Sequence, residues 1–258
     1  MQFTEISSKD NTRIKRIIKL QTSSRFRREE GAFVLEGLRT VGDASENGIR
    51  LKELYFSASA FDKHRVDIEK FADSADFVAQ ISDSVCKSIS DTFTPQGIFA
   101  VADIPEKSSV LPETGKFIAL ENMQDPANLG AVARTAEALG INGIIISSDS
   151  CDPFSPKCLR ASMGTLLRIP LYFTEDMTEF IKNCTADTYA CVVHGQAEFI
   201  GKVAFSNYSV AVIGNEGNGL TEKTVNMCKS CVTIPMQGRA ESLNAAAAAS
   251  IVMWEMVK

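Results

Sequence analysis

The stretch Val210-Ala-Val-Ile-Gly214-Asn-Glu216-Gly-Asn-Gly219-Leu220 joins a short apolar run to a loop that holds three glycines within six residues. An apolar run that does not alternate with polar residues is typical of a strand buried on both faces of a parallel sheet. Glycines allow a loop to take positive φ and to approach a ligand closely. In open α/β sheets, ligands bind at the carboxyl ends of the strands. This stretch therefore predicts an α/β fold with a binding site after the strand.

The glycine spacing narrows the kind of ligand. The glycines follow the pattern GxxGxG, whereas a dinucleotide site of the Rossmann type uses GxGxxG. The carboxylate of Glu216 would repel a pyrophosphate but would tolerate a cationic ligand. The plainer interpretation is a glycine-rich turn that carries a solvated glutamate.

A second candidate loop lies upstream, in Leu120-Glu-Asn-Met-Gln-Asp-Pro-Ala-Asn128-Leu-Gly-Ala-Val-Ala-Arg134. Asn128 is a candidate cap for the helix that follows, and Arg134 lies on the second turn of that helix. Their spacing along the chain places them about 240° apart around a regular helix. They converge only if Asn128 belongs to the loop before the helix. The alternative is one helix cap and one surface arginine.

A third candidate loop is Ile234-Pro-Met236-Gln-Gly-Arg-Ala-Glu-Ser242-Leu-Asn244, which precedes an alanine-rich segment. Ser242 and Asn244 lie where the N-terminus of a helix presents N–H groups without helical partners. Both residues are therefore either site residues or simple helix caps.

Around these loops, the C-terminal half alternates apolar strands with helices. Predicted strands cover 116–120, 143–147, 168–173, 189–193, 209–213 and 231–234. Predicted helices cover 129–139, 156–163, 176–184, 221–227 and 241–256. This alternation predicts a mainly parallel sheet with helices on both faces.

The N-terminal part also alternates, with predicted strands at 32–35, 51–57 and 96–102 and predicted helices at 37–46 and 62–72. The segment from Asp103 to Gly115 holds two prolines and few apolar residues, which is typical of a domain boundary. We therefore expect a small α/β domain over residues 1–103 and a larger α/β domain over residues 116–258.

Positive charge is concentrated at the N-terminus. The net charge of the chain is −5, but residues 1–28 hold eight Lys or Arg against two Asp or Glu. Affinity for phosphate depends on such local basic patches rather than on total charge. The segment therefore predicts contact with a polyanion; the candidate contact residues are Arg13, Lys15, Arg25, Arg27 and Arg28. The alternative is an ordinary amphipathic helix whose buried stripe is formed by Ile14, Ile17, Ile18 and Leu20.

Composition excludes several other classes of protein. The chain has 258 residues, of which 45% are hydrophobic, and this apolar fraction argues against intrinsic disorder. No apolar run has the length of a membrane span, and the first residues lack the apolar core of a signal peptide, so we expect a soluble, cytoplasmic protein. The seven cysteines do not form a disulfide framework, and the single CxxC, Cys228 to Cys231, has no second pair for zinc. His64 and His194 have no ligand partner nearby in the sequence, which disfavours metal hydrolysis and histidine-based catalysis.

The three loops together resemble the motifs of the SpoU (TrmH-like) family of RNA 2′-O-ribose methyltransferases, within the SPOUT superfamily. The first motif is similar to residues 128–136, the second to residues 213–220, and the third to residues 234–236 followed by 242–244. The matched order covers residues 117–257. A weaker resemblance to the family's substrate-binding domain involves Asn11, Ile14-Lys15, Arg27 and the run Phe33-Val-Leu-Glu-Gly37.

The resemblance implies a trefoil-knotted C-terminal domain, a homodimer and S-adenosylmethionine (AdoMet) as the methyl donor. From the residues themselves we expect no metal ion and no membrane partner. The catalytic residues that the resemblance implies are Asn128, Arg134, Glu216, Ser242 and Asn244. The cofactor-binding residues that it implies are Leu120, Gly214, Asn215, Gly219, Ile234, Met236 and Leu243. The N-terminal domain would dock the RNA.

Methyl transfer to a ribose hydroxyl suits these residue types. The donor is a reactive cation and needs no metal, but the hydroxyl is a poor nucleophile until its proton leaves. A guanidinium stays charged, so Arg134 is expected to clamp the adjacent phosphate and polarise the hydroxyl. Glu216 would orient Arg134 or its own loop. We expect ribosomal RNA as the substrate. The alternative substrate is transfer RNA. The alternative functions are a catalytically silent RNA-binding or ribosome-assembly protein and, more remotely, a nucleotide-dependent oxidoreductase.

Overall fold

The chain divides into two compact units. The structure is a computed structural model that describes residues 3–106, 110–193 and 196–258, so His194 lies outside the described residues. The first unit comprises Met1–Glu106 and Phe154–Arg168, and the second comprises Lys107–Pro153 and Ile169–Lys258. Residues 154–168 thus group with the N-terminal unit, although the sequence placed them in the domain 116–258. The rings of Phe154 and Phe33, with centroids 5.0 Å apart, give this segment an apolar anchor in the first unit.

The first unit is a mixed sheet with helices. Its elements are β1 (Thr4–Ile6), α1 (Thr12–Thr22), α2 (Ser24–Glu30), β2 (Ala32–Glu36), α3 (Leu38–Glu46), β3 (Leu51–Ser57), α4 (Ala58–Ser74), β4 (Phe77–Ile81), α5 (Asp83–Ile89) and β5 (Ile98–Asp103). The strand order is β1-β4-β3-β5-β2, and β5 runs antiparallel to both of its neighbours. The sequence missed β1, β4 and α5, since each is short and a short segment carries little periodic signal.

The basic N-terminal segment folds as two helices rather than one. Ser23 takes an extended conformation between α1 and α2, and its side chain caps α2 through the amide of Phe26. Ile14, Ile17 and Leu20 of α1 are fully buried against the sheet. The predicted buried stripe of an amphipathic helix is therefore present in α1, and Lys15 and Lys19 lie on the exposed side of that helix.

The second unit is built on a parallel sheet of seven strands. Its strands are β6 (Gly115–Leu120), β7 (Gly143–Ser147), β8 (Leu171–Thr174), β9 (Asp187–Cys191), β10 (Glu198–Phe199), β11 (Tyr208–Ile213) and β12 (Ser230–Thr233). Its helices are α6 (Pro126–Ala138), α8 (Met177–Asn183), the 3-10 helix Ile200–Lys202, α9 (Glu222–Met227) and α10 (Ala245–Val257). Between β7 and β8 the chain forms α7 (Pro156–Ser162) and the 3-10 helix Thr165–Leu167, which belong to the first unit. The strand order is β10-β12-β9-β11-β6-β7-β8, and all the pairings are parallel. This confirms the predicted α/β class and its parallel sheet.

Several element boundaries differ from prediction, and three of the differences have clear local reasons. The strand predicted from residue 168 starts at Leu171, because Pro170 has no N–H to donate to a sheet. Helix α6 starts at Pro126 because Asp125 caps it through the amide of Ala127, so Asn128 is not the cap. Helix α10 starts at Ala245 and not at residue 241, because the side chain of Asn244 caps it.

The structure also bears on membranes, metals and thiols. No helix within the described residues combines the length and the apolarity needed to cross a bilayer. In that same part of the chain, no three His, Cys, Asp or Glu side chains form a group that could hold a metal ion. All seven cysteines are free thiols.

Candidate active site

The first two candidate loops lie side by side because their strands are neighbours. Leu120 at the end of β6 pairs with Ile213 at the end of β11. The chain that leaves each strand therefore emerges at the same edge of the sheet, where ligands bind in such folds. The side-chain amide of Asn215 donates to the carbonyl of Asn122 at 2.8 Å, which joins the two loops directly.

The glycine-rich loop folds back on itself. The amide of Asn215 donates to the carbonyl of Gly219 at 3.0 Å, and the amide of Gly219 donates back at 2.9 Å. Gly219 has a φ of +69°, a conformation that favours glycine. The close approach, however, is at Gly214, where a Cβ would lie within 3.0 Å of the backbone of Gly219 and Leu220. A Cβ at Gly219 would meet open space. The tight contact is thus internal to the loop and belongs to Gly214.

Glu216 connects the glycine-rich loop to the start of α6. Its carboxylate accepts from the amides of Gln124 at 3.2 Å and Asp125 at 3.1 Å, and from the side-chain amide of Asn128 at 2.9 Å. Burial raises the pKa of the Glu216 carboxyl, but these hydrogen bonds outweigh it and leave the pKa below its ordinary value. The carboxylate is therefore ionised at neutral pH.

Asn128 also contacts the third candidate loop. The side-chain amide of Asn244 donates to the side-chain oxygen of Asn128 at 2.9 Å. The side-chain oxygen of Asn244 accepts from the amides of Ala246 at 3.0 Å and Ala247 at 3.3 Å. Glu216, Asn128 and Asn244 thus form one hydrogen-bonded chain across the three loops. We call these three residues the polar chain.

Arg134 does not join this chain within one molecule. Asn128 lies inside α6 rather than in the loop before it, so the condition for convergence with Arg134 is not met. Asn128 is buried and Arg134 is exposed. Glu216 therefore orients its own loop and Asn128; orientation of Arg134 by Glu216, which the sequence left open, is not seen.

A cleft of about 400 Å³ runs along the glycine-rich loop. The side chains that line it include two exposed apolar ones, Val193 at 47% and Leu243 at 36%. Ser242 lies on the cleft wall. An adjoining apolar cavity of about 70 Å³ is lined by Ile234, Met236 and again Leu243.

Six of the seven residues predicted to bind a cofactor surround these two spaces: Gly214, Asn215, Gly219, Ile234, Met236 and Leu243. Leu120 is the exception: its side chain lines neither space, so the prediction is wrong for that side chain. It is fully buried within β6 between neighbouring strands, because a central strand of a doubly covered sheet has no open face.

Comparison with known proteins identifies the family. Residues 115–254 match the model of the SpoU rRNA Methylase family, and residues 11–100 match the MRM3-like substrate binding domain. The chain belongs to the SpoU rRNA methylase family.

Individual relatives of this SpoU-family chain cover nearly its whole length. The 23S rRNA (guanosine(2553)-2′-O)-methyltransferase RlmP of Bacillus subtilis is 27% identical and is matched over 98% of each chain. The 23S rRNA (uridine(2479)-2′-O)-methyltransferase of Streptomyces viridochromogenes is 26% identical over 90% of this chain and 84% of its own. The crystal structure of an AdoMet-bound rRNA methyltransferase from Sinorhizobium meliloti aligns with a TM-score of 0.88 and 28% identity, over 99% of this chain and 98% of its own.

In the N-terminal unit of this SpoU-family chain, the five residues predicted to contact phosphate differ from one another in exposure and in partners. Arg27 is 3% exposed, and its guanidinium donates to the carbonyls of Leu20 at 2.5 Å and Gln21 at 3.1 Å. Arg27 therefore ties α2 to the end of α1 and is not available to a phosphate, which corrects the prediction for this residue. Arg28 is exposed on α2, as is Arg25, which pairs with Glu29 at 2.7 Å.

The two predicted contacts on α1 are also partnered. The side chain of Lys15 is 57% exposed and pairs with Asp10. Arg13 pairs with the largely buried Glu53 and lies 3.8 Å over the ring of Phe77. Arg13 is therefore held in place by the first unit, whereas Lys15 extends towards solvent.

Sequence reasoning missed two groups of site residues. The backbone amides of Gln124 and Asp125 hold Glu216, but a backbone donor leaves no signature in residue types. Cys191, Val192 and Val193 line the cleft because Cys191 ends β9, the other neighbour of β11, and the next two residues follow it. The end of that predicted strand was the available signal.

Proposed function

We propose that this chain transfers a methyl group from AdoMet to a ribose 2′-hydroxyl of 23S ribosomal RNA. The observation that carries the proposal is the polar chain beside the cleft of the glycine-rich loop. Relatives that match both units bear names of 23S rRNA 2′-O-methyltransferases, which favours this substrate over transfer RNA. A cytoplasmic location is part of the same proposal, since ribosomal RNA would be met there.

The residues at the cleft suit AdoMet, which when bound supplies a methyl group activated on a sulfonium. The exposed side chains of Val193 and Leu243 offer apolar contact to an adenine ring. A Cβ at Gly219 would meet open space, so the loop leaves room around this residue. The ionised Glu216 favours a cationic ligand over a pyrophosphate.

Arg134 is proposed to act on the RNA. A guanidinium remains charged, so it would clamp the phosphate next to the target nucleotide and polarise the 2′-hydroxyl. That phosphate would accept the hydroxyl proton, because a charged guanidinium has no acceptor atom. Asn128, Ser242 and Asn244 would fix the ribose by hydrogen bonds.

A homodimer would bring Arg134 to the other site residues. Within one chain Arg134 and Asn128 occupy different faces of α6, so a second copy is the source that we propose for the arginine of each site. The outer face of α10 shows Trp254 at 57% and Ile251 at 38% exposure, and exposed apolar patches of this kind mark interaction surfaces. The trefoil knot implied by the family resemblance belongs to the same proposal.

Two measurements test the function. Isothermal titration of the whole chain with AdoMet should show binding, whereas NADH should show none. The 2′-O-methyl groups of ribosomal and transfer RNA should then be mapped in a strain that lacks the gene and in its parent. A methyl group missing from 23S rRNA supports the proposal, and one missing from transfer RNA overturns the substrate. AdoMet binding without any missing methyl group indicates an assembly protein, and tight NADH binding indicates an oxidoreductase.

The basic segment supplies a matched pair of variants. Replacing Arg25 and Arg28 with glutamate should weaken RNA binding and make it less dependent on salt. Each lost phosphate contact reduces the slope of log binding constant against log salt concentration by about 0.7–0.9. AdoMet affinity should stay unchanged. Arg27→Ala should instead lower the thermal midpoint, because it leaves buried carbonyls without donors. Filter binding across a salt titration and thermal unfolding distinguish the two; equal salt slopes for wild type and the double variant would contradict the prediction.

A further inference from the structure

We infer that Glu121 is a positioning residue that fixes both ends of the glycine-rich loop and thereby sets the affinity for AdoMet. The inference rests on the proposed function, because it takes the cleft along residues 213–220 as the AdoMet site. Glu121 follows the last residue of β6 and is 6% exposed. It does not line the cleft.

Glu121 bonds to the chain on either side of the loop. Its backbone amide donates to the carbonyl of Ile213, the last residue of β11, at 2.9 Å. Its carboxylate accepts from the amide of Thr221 at 2.9 Å and from the hydroxyl of Thr221 at 3.1 Å. The loop Gly214–Leu220 therefore begins and ends on one residue of the neighbouring strand.

The Glu121 carboxylate accepts one more hydrogen bond, from a buried hydroxyl. The hydroxyl of the fully buried Thr224 donates to the same carboxylate at 2.5 Å. Thr224 itself contacts the hydroxyl of Thr178 at 3.2 Å on its other side. The Glu121 carboxylate is thus surrounded by donors, and its removal would leave buried polar groups without partners, which is costly.

The two loops hold each other reciprocally. Glu121, from the first loop, binds Thr221 just after the glycine-rich loop. Glu216, from the glycine-rich loop, binds the amides of Gln124 and Asp125 just after Glu121. Loss of the Glu121 carboxylate removes one half of this exchange and frees the C-terminal end of the loop. The loop would then have to be ordered when AdoMet binds, and that ordering lowers affinity.

The experiment compares Glu121→Ala and Glu121→Gln with the control Thr178→Val, in the full-length protein. Thr178→Val removes the outer contact of Thr224 and leaves every bond to Glu121. Amide hydrogen exchange is measured without ligand, and the AdoMet Kd is measured by calorimetry well below each thermal midpoint. The KM for AdoMet and the kcat at saturating AdoMet are measured on the RNA substrate.

For Glu121→Ala we expect faster exchange at the amides of Asn215 and Gly219 and an AdoMet Kd about tenfold weaker or more. The KM should rise by a similar factor while kcat at saturation stays near wild type, because Glu121 touches neither reacting group. Glu121→Gln keeps one acceptor oxygen and should recover part of the affinity, and Thr178→Val should match wild type.

An AdoMet Kd for Glu121→Ala within twofold of wild type overturns the inference, as does faster exchange throughout the unit with no excess in the loop. If Glu121→Ala does not fold, Glu121→Gln decides by the same criteria. If the wild-type protein fails to bind AdoMet, the proposed function falls, whereas the exchange data still show whether Glu121 holds the loop.

Discussion

Arg134→Ala should lower the rate of methyl transfer by about 10²-fold or more, as removal of a well-placed polar group does in other active sites. Arg134 is exposed on α6, and no hydrogen bond or ion pair holds it within the described residues, so the fold does not depend on it. AdoMet affinity and the thermal midpoint should therefore change little. Single-turnover assays, calorimetry and thermal unfolding measure the three quantities.

Two variants sharpen the interpretation of Arg134. Arg134→Lys keeps the charge without the planar fork and should recover only part of the rate. Lys223→Ala removes an exposed basic residue from α9, outside the site, and should leave the rate unchanged. Activity of Arg134→Ala within a few-fold of wild type would mean that Arg134 is an ordinary surface residue.

A mixed dimer tests which copy supplies Arg134. Arg134→Ala and Glu216→Gln are each expected to be nearly inactive. If Arg134 of one copy serves the Glu216 of the other, a dimer of the two variants contains one site with both defects and one intact site, and activity returns. If both residues act within one copy, every site carries one defect and the mixture stays inactive, which would contradict the proposed arrangement.

Gly214→Ala should abolish AdoMet binding. A Cβ at this position would collide with the backbone of Gly219 and Leu220, and backbone cannot move aside as a flexible side chain can. The loop would have to open, which we expect to lower the free energy of unfolding by about 1–3 kcal/mol. Calorimetry with AdoMet and denaturant unfolding measure the two effects.

Gly219→Ala and Gly140→Ala are the matched controls for Gly214→Ala. Gly219 and Gly140 have φ of +69° and +70°, and a Cβ at either meets open space. Each alanine should therefore cost about 1 kcal/mol of backbone strain. Gly140 lies after α6, away from the cleft, so any extra loss of AdoMet affinity in Gly219→Ala measures contact at the cleft. Normal AdoMet binding by Gly214→Ala would show that the closed loop is not needed for the site.

Local patterns in the sequence were sufficient for the fold class. Unbroken apolar runs such as 143–147 and 210–213 indicate strands covered on both faces, and such strands occur in parallel sheets. The three candidate loops follow or precede such elements, so their convergence at one edge of the sheet follows from the class of fold. The pairing of β6 with β11 then brings the glycine-rich loop beside the loop after Leu120.

Local patterns were not sufficient to assign partners to individual side chains. Arg25, Arg27 and Arg28 carry the same charge and lie within four positions of one another. Only Arg27 is buried, because the end of α1 leaves carbonyls to which its guanidinium donates. The glycine that admits no side chain is Gly214 rather than Gly219, since the crowding comes from residues that lie five and six positions later in a closed loop.

The separation of Arg134 from Asn128 likewise depended on where α6 begins. Asp125 and Pro126 start the helix three residues earlier than the sequence pattern indicated, and Asn128 thereby becomes part of it. Residue types and their periodicity determine which segments form strands, helices and loops, since those preferences act over a few neighbours. Which donor meets which acceptor depends on packing between segments about 90 to 120 residues apart, as for Glu216 with Asn128 and Asn128 with Asn244, and only the folded chain brings such segments within the short reach of a hydrogen bond.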